Sequence, residues 1–234
     1  SPPPSFVDPK WLKYYAQFDQ ALANKLLDEV GMMDKDGDGN RELPNGDTLV
    51  INMQFATQGV ATSVVELIAQ HWSDVGIKTT SKEVTPDEFR SAQSANQLDV
   101  TIWRKGQPLA IVLGNTELFL PPFENYFGSR NGMLWAEYID SDGAAGVKPP
   151  AYVYQIMDDI AAFQSTPAGT PESDAIGARL VQNMTENLIF IGTVLAPAPI
   201  YHRNAVKNFP KLKTASYEYY RTYPYRPQQW FLDE

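Results

Sequence analysis

Cysteine is absent from the 234 residues, so disulfides, thiolate metal sites and cysteine nucleophiles are excluded. An excess of positive charge is also missing. Lys and Arg total 19 against 28 Asp and Glu, which gives a formal net charge of −9. Proteins that bind nucleic acid present a basic surface to the phosphate backbone, so we expect no nucleic-acid partner.

Long apolar runs are missing as well. Runs such as 188–198 are far shorter than the roughly 20 residues that a membrane helix needs. The first four residues, Ser-Pro-Pro-Pro, lack the charged start and apolar centre of a signal sequence and are typical of a trimmed end. The chain also lacks a Gly-x-Ser-x-Gly elbow, a phosphate-binding loop and a dinucleotide fingerprint. A hydrophobic content of 43% is nevertheless enough for a sizeable core.

Helical and strand periods alternate through the first half of the chain. A helix is predicted from Phe18 to Val30, with Asp19 as its N-cap and Gly31 just after its end. The following segments are predicted as strands at 48–56, 77–84 and 98–103 and as helices at 64–75 and 85–96. This order is a β-α-β-α-β core, which indicates an α/β lobe.

The second half is mainly helical. Helices are predicted at 131–139, 149–164 and 170–187, and a strand at 188–195. The tail from Lys207 is basic, aromatic and irregular.

Six sequence motifs in a fixed order resemble family 5 bacterial extracellular solute-binding proteins, the dipeptide- and oligopeptide-binding type. The motifs are FDQALANKLLDEVG at 18–31, DKDGDGNRE at 34–42, ELIAQHWSDVGIK at 66–78, LDVTIW at 98–103, WAEY at 135–138 and ENLIFIGT at 186–193. The last two, with Gly143 to Gly146 and Pro149-Pro150, are similar to a subgroup that includes oligosaccharide binders.

The resemblance implies the C-terminal lobe of a periplasmic-binding-protein-like fold (type II, cluster C), with extra helices and a returning tail. Residues 1–206 would form the ligand-binding lobe, and residues 207–234 would return towards an N-terminal lobe that is absent here. The implied function is capture of a peptide or an oligosaccharide in an interlobe cleft, without catalysis. The implied partners are ABC permease subunits, and the implied location is periplasmic or extracellular and membrane-associated.

One departure from the family leaves the ligand open. Many peptide binders follow the strand that ends in Trp with a segment rich in Gly and Asp, whereas Arg104-Lys-Gly-Gln107 follows Trp103 here. Peptides and oligosaccharides are therefore both retained as ligand classes.

The acidic loop at 34–42 matches the first two-thirds of an EF-hand loop, in which alternate oxygens converge on Ca²⁺. Its candidate ligands are Asp34, Asp36, Asp38, Asn40 and Glu42. Asn45 stands where the twelfth-position bidentate acid belongs, so a turn-forming acidic loop is the competing interpretation. No cofactor is required, but Ca²⁺ is a candidate, and a Ca²⁺-stabilised structural or interaction module is an alternative function.

Aromatic side chains are the main candidates for ligand contacts. Trp103 ends an apolar strand, and open α/β sheets bind ligands at the carboxyl ends of their strands. Its flat ring suits stacking on a sugar or a peptide side chain, although a core role fits it equally. The other candidates are Arg104, Tyr126, Phe127 and Trp135. A carboxylate-dependent hydrolase is a weaker alternative, since a sequence does not reveal the separation of its acids.

Overall fold

A computed structural model describes residues 4–103, 131–193, 202–211 and 226–233. The helices are α1 (Gln20–Glu29), α2 (Thr62–Ser73), α3 (Pro86–Ser94), α4 (Met133–Asp140), α5 (Ala151–Ser165) and α6 (Pro171–Glu186). The strands are β1 (Val50–Phe55), β2 (Lys78–Glu83), β3 (Val206–Lys207) and β4 (Phe231–Leu232). Among the described residues, no helix is both long enough and apolar enough to cross a bilayer.

Helix starts and ends follow the capping signals in the sequence. The Asp19 carboxylate accepts the Leu22 N–H at 2.9 Å at the start of α1. The Thr85 hydroxyl accepts the Glu88 N–H at 3.2 Å at the start of α3, which has Pro86 at its first position. Gly31 follows the end of α1 with φ +81°, a left-handed conformation that favours glycine. These predicted boundaries are therefore confirmed.

The sheet of the first half is parallel. β1 pairs with β2 from Val50 opposite Lys78 to Phe55 opposite Glu83. A third segment joins on the other side of β1, but only through a parallel bridge between Met53 and Val100. The β-α-β-α-β order is confirmed, with a third strand much shorter than predicted.

A side chain accounts for the short third strand. The Asp99 carboxylate accepts the Asn52 backbone N–H at 2.9 Å and its side-chain amide at 3.2 Å. A regular ladder would use that backbone donor for a carbonyl of the neighbouring strand. The Asp99 side chain therefore replaces part of the ladder with a local contact.

Two adjoining hydrophobic clusters hold helices against this sheet. Met53, Phe55 and Val65 are buried in the first, where Ile68 and Trp72 of α2 pack against them. The second cluster joins the strand ends to α3 and consists of Ala56, Val84 and Phe89, with Leu98 and Trp103 against it. The parallel strands, α2 and α3 therefore form one packed α/β unit.

Helices α5 and α6 form a pair around Ile156 and Leu180, which are fully buried. The pair also buries the Asp159 carboxylate, whose side chain is only 5% exposed. Arg179 of α6 donates to Asp159 Oδ1 through Nη2 at 2.6 Å and through Nε at 3.2 Å. A buried carboxylate requires such a partner, and this ion pair links α5 to α6.

The strand predicted at 188–195 is wrong for residues 188–193, which form a turn, a bend and irregular structure. Leu188 has φ +46°, and the Ile189 N–H donates to the Met184 carbonyl at 3.2 Å, which closes the end of α6. Ile189 then packs on the cluster of the α5–α6 pair. One residue of the apolar run that resembles a strand, Ile189, therefore covers part of the helix pair, while Leu188 and Ile191 stay exposed. Residues 194 and 195 lie outside the described residues.

The tail contains a small antiparallel pair. Val206 lies opposite Leu232 and Lys207 opposite Phe231. The Lys207 ammonium lies 3.3 Å from the Asp233 carboxylate beside this pair. The end of the tail is therefore bound to its beginning, although most of the intervening sequence lies outside the described residues.

Arg41 joins three segments that are distant in sequence. The residue is 8% exposed, and its backbone N–H donates to the Gly76 carbonyl at 2.8 Å. Its guanidinium donates to four acceptors, which are Val75 O at 2.7 Å, Asp28 Oδ1 at 2.6 Å, Met32 O at 2.5 Å and Asn24 Oδ1 at 2.7 Å. One side chain therefore ties α1 and the end of α2 to the loop that leads into β1.

Replacing Arg41 with Met is expected to reduce the free energy of unfolding by about 3 kcal/mol, because four partly buried acceptors lose their donor. The urea midpoint and slope measure this change. Lys25→Met is the matched control. The Lys25–Glu29 ion pair is 3.6 Å long with both side chains exposed, so that change should cost less than about 0.5 kcal/mol. Equal midpoints for the two variants would contradict the role given to Arg41.

Candidate functional site

The acidic loop brings four carboxylates together. One oxygen from each of Asp34, Asp36, Asp38 and Glu42 lies within 4.8 Å of the others. The three aspartates are exposed, but Glu42 is only 6% exposed. Oxygen atoms at this spacing match the ligands that Ca²⁺ prefers.

Backbone N–H groups of the same loop orient these carboxylates. The two oxygens of Asp34 accept from Gly37 N at 2.7 Å and from Gly39 N at 3.0 Å. Glu42 Oε2 accepts the Lys35 N–H at 2.6 Å, and the Asn40 amide donates to Asp38 Oδ1 at 3.0 Å. The loop is therefore folded by its own hydrogen bonds, which hold the acids close together despite their like charges.

Asp38 is the acid whose ionisation the loop favours most clearly. The Asn40 backbone N–H donates to its carboxylate at 2.7 Å. This bond, the Asn40 side-chain amide and the Lys78 charge lower the Asp38 pKa below its usual 3.8. Desolvation acts in the opposite direction. A depressed pKa means that the stabilisation is present above about pH 3.8 and is lost as the pH falls through the lower folded-state value. The Asp38 carboxylate is therefore ionised at neutral pH, as a Ca²⁺ ligand must be.

Trp103 lies at the carboxyl ends of the parallel strands, as predicted. Its ring stacks on Phe89 of α3, with the centroids 5.4 Å apart and the planes at 19°. It also packs against Ala56 and Val84, which follow β1 and β2 directly. The ring is half-buried, so it contributes to the core and keeps part of its surface accessible.

Gly59 leaves room for this ring. It is buried in the turn between β1 and α2, and a Cβ added there would overlap the six-membered ring of Trp103. Sequence patterns give no signal for this requirement, because Gly59 has no positive φ and lies in an ordinary turn sequence. Only the folded chain brings Gly59 and Trp103 together.

The remaining ligand candidates fall into two groups. Trp135 lies on α4, half-buried, with its ring edge-to-face to Tyr152 of α5 at 6.2 Å. Burial raises the pKa of the Tyr152 hydroxyl above 10.0, so this partner is neutral at ordinary pH. Arg104, Tyr126 and Phe127 lie outside the described residues. Trp103 and Trp135 thus each pack on a different aromatic partner.

A polar groove of about 450 Å³ lies beside the acidic loop, lined by Asn24, Asp28, Asp34, Arg41, Ser73 and Asp74 among others. Its arginine already donates to four acceptors of the fold. Arg41 is therefore committed to the fold and is not a free anion-binding group, a role that the sequence analysis did not assign to it.

Gly59→Ala is expected to destabilise the protein by about 2 kcal/mol, because the new methyl group displaces the Trp103 ring from its packed position. Gly192→Ala is the control, since a Cβ there meets nothing within 4 Å. Thermal unfolding measures stability, and near-UV circular dichroism reports whether the packing of the Trp103 ring changes. Unchanged stability and an unchanged near-UV spectrum in Gly59→Ala would show that the close approach is not needed.

The sequence and the fold resemble those of known proteins. A sequence model of the bacterial extracellular solute-binding proteins, family 5 Middle, matches residues 1–120, just over half of the 234. No curated protein matches the sequence.

Several solved structures share this fold. The oligopeptide-binding protein OppA is 26% identical, with a TM-score of 0.62, and the match covers 79% of this chain and 30% of OppA. MelB, a periplasmic binding protein from Agrobacterium fabrum in complex with stachyose, is 18% identical, with a TM-score of 0.63 and coverage of 79% and 27%. A mannohexaose-bound periplasmic oligopeptide-binding protein from Thermotoga maritima is 17% identical, with a TM-score of 0.52 and coverage of 81% and 33%.

The chain thus spans about a third or less of the length of these relatives. Over the part that it spans, the chain shares the fold of these structures. With an α/β fold that covers part of a periplasmic binding protein, the chain belongs to the family 5 bacterial extracellular solute-binding proteins.

Proposed function

We propose that this chain is one lobe of a solute-binding protein that captures a peptide or an oligosaccharide for an ABC importer. The observation that carries the proposal is the family match over residues 1–120 together with the fold shared with OppA at 26% identity. Residues 1–206 form the ligand-binding lobe, and residues 207–234 return towards a second lobe. ABC permease subunits are the partners, and the protein acts in the periplasm or outside the cell, associated with the membrane.

Both ligand classes have support among structures of this fold. OppA is named for oligopeptides, MelB was solved with stachyose, and the Thermotoga maritima protein was solved with mannohexaose. Within this chain, the motif at 135–138 is similar to those of oligosaccharide binders. The segment that follows Trp103 also departs from that of peptide binders. These features favour an oligosaccharide, with a peptide as the alternative.

Trp103 is the ligand contact that the described residues support best. Ligands of open α/β sheets bind beyond the carboxyl ends of the strands, where this half-buried ring lies. Phe89 and the backbone of Gly59 hold the ring in one position, so stacking a ligand on it costs little conformational entropy. Arg104, Tyr126, Phe127 and Trp135 remain proposed contacts. Closure of two lobes around the ligand then retains it without any bond being broken.

Thermal unfolding of the full-length protein tests this function. An oligosaccharide or peptide at one hundred times its Kd is expected to raise the free energy of unfolding by about 2.7 kcal/mol. Trp103→Leu should weaken that response, whereas Gly192→Ala should leave it unchanged, and each variant is compared with its own ligand-free melting temperature. Product formation from either ligand class by the unaided protein would overturn the assignment as a binding protein. If no member of a broad panel of oligosaccharides and peptides raised the melting temperature, the proposal of these two ligand classes would be contradicted.

The acidic loop supports a second, structural role. We propose that Asp34, Asp36, Asp38 and Glu42, with Asn40, hold a Ca²⁺ ion that stabilises the loop. The convergence of four carboxylate oxygens within 4.8 Å favours this proposal, and Glu42 gives the cluster a buried member. Arg41 lies in this loop directly before Glu42, so a bound ion would also stabilise the position of the residue that ties α1 to the sheet unit. No observation among the described residues favours the hydrolase alternative.

Adding Ca²⁺ at ten times its Kd is expected to stabilise the protein by about 1.4 kcal/mol. Asp36→Asn should reduce the shift, because one of the four converging carboxylates loses its charge. Asp87→Asn is the control, since its carboxylate is 95% exposed and lies on α3, away from the loop. Calorimetric titration of chelator-treated protein measures the affinity directly. Equal Ca²⁺ responses in the two variants would contradict this site.

A further inference from the structure

A network of side-chain hydrogen bonds crosses the sheet of the α/β unit. The Thr80 hydroxyl of β2 donates to Asn52 Oδ1 of β1 at 2.7 Å. Asn52 in turn donates to Asp99 Oδ2 from its backbone N–H at 2.9 Å and from its side-chain amide at 3.2 Å. Asp99 belongs to the third segment of the sheet, which is residues 98–103. One carboxylate oxygen of this segment therefore receives two hydrogen bonds from the neighbouring strand.

Backbone pairing and apolar packing specify the register of the third segment only weakly. In the part of the chain that the structure describes, its ladder with β1 is the parallel bridge between Met53 and Val100. Val100 and Ile102 both pack on the cluster that joins the sheet to α2. A shift by two residues would put one of these β-branched side chains in the place of the other, and cores tolerate such exchanges of similar volume. A directional contact is therefore needed to select one register, and the Asp99 carboxylate provides it.

The register of the third segment decides where the Trp103 ring lies. Trp103 follows Asp99 by four residues, and its ring lies in the space that Gly59 leaves open. A shift by two residues along a strand moves a side chain by about 7 Å. This displacement exceeds the 5.4 Å between the ring centroids of Trp103 and Phe89, so the stack would be lost. The position of the ring therefore depends on the contact that Asp99 makes.

We propose that Asp99 is a positioning residue for the ligand contact Trp103. The inference rests on the proposed function, in which the Trp103 ring stacks on an oligosaccharide or a peptide. Asp99 acts through the third segment and not by touching the ligand. Its partner Asn52 lies three residues before the end of β1 at Phe55, which places the carboxylate about 10 Å before the carboxyl ends of the strands.

The exposure of this network separates positioning from core stability. Thr80, Asn52 and Asp99 are all exposed, so water can satisfy each group when a bond between them is broken. Loss of the Asp99 carboxylate is therefore expected to disturb the position of the Trp103 ring more than the stability of the protein.

Fluorine NMR of the full-length protein labelled with 5-fluorotryptophan tests the inference without any ligand. Trp103→Phe assigns the Trp103 resonance. In Asp99→Ala, this resonance is expected to split or to broaden at least about twofold, because the ring occupies more than one position. Asp99→Asn should keep a single sharp resonance, since its side-chain oxygen can accept the same two bonds. Asp158→Ala is the matched control, at an exposed aspartate of α5.

Two results would overturn the inference. The first is an unchanged Trp103 resonance in Asp99→Ala, which would show that packing alone holds the ring. The second is an equal change in Asp99→Ala and Asp99→Asn, which would assign the effect to the charge and not to the two bonds. Circular dichroism shows whether each variant is folded. Asp99→Glu, which displaces the carboxylate by one carbon, replaces Asp99→Ala with the same expectation if that variant unfolds.

Binding is measured separately, from the melting temperature of the full-length protein with stachyose, mannohexaose and a set of tripeptides. For a probe that binds, Asp99→Ala is expected to lower the affinity by about fivefold, because the Trp103 ring must be ordered on binding. Asp99→Asn should restore the affinity. A changed resonance with an unchanged affinity would reject Asp99 as a positioning residue for binding.

The failure of the inference differs from the failure of the proposed function. A changed resonance without a response to any of these probes would leave the control of the ring by Asp99 standing and count against the proposed function. A clear response to a probe with an unchanged Trp103 resonance in Asp99→Ala would do the reverse.

Discussion

The buried guanidinium of Arg41 is the interaction on which the first half of the structure depends. It joins α1, the end of α2 and the loop before β1, and its four acceptors lie on two segments that are far apart in sequence, residues 24–32 and Val75. Because its charge is buried, the fold must surround it with oxygen atoms. This requirement brings Asn24 and Asp28 of α1 and the carbonyl of Val75 to one guanidinium.

The position of the ligand candidate has a different origin. Trp103 is held at the strand ends by apolar contacts with Phe89 and by the space above Gly59. The same contacts that bury one part of its ring fix the orientation of the accessible part. Packing and ligand recognition are therefore compatible roles for this side chain. The sequence allowed Trp103 to be either a core residue or a ligand contact, and these two interpretations do not exclude each other.

Local signals in the sequence predicted the elements of the α/β unit well, because each depends on residues close in the chain. Asp19 and Thr85 start their helices as predicted, and β1 and β2 follow their predicted runs closely. The prediction failed where tertiary contacts compete with local preference. Ile189, in an apolar run typical of a strand, packs on the α5–α6 pair, and Asp99 replaces part of a strand ladder.

The sequence by itself determined the family, the order of helices and strands in the α/β unit and the acids of the loop, since motif order and periodicity are properties of the chain. Tertiary structure alone decided that Glu42 is buried beside three exposed aspartates, that Gly59 lies under Trp103 and that Arg41 is buried. Each of these depends on residues far apart in sequence. The burial of Arg41, which no periodicity reveals, requires the acceptors that Asn24 and Asp28 of α1 supply.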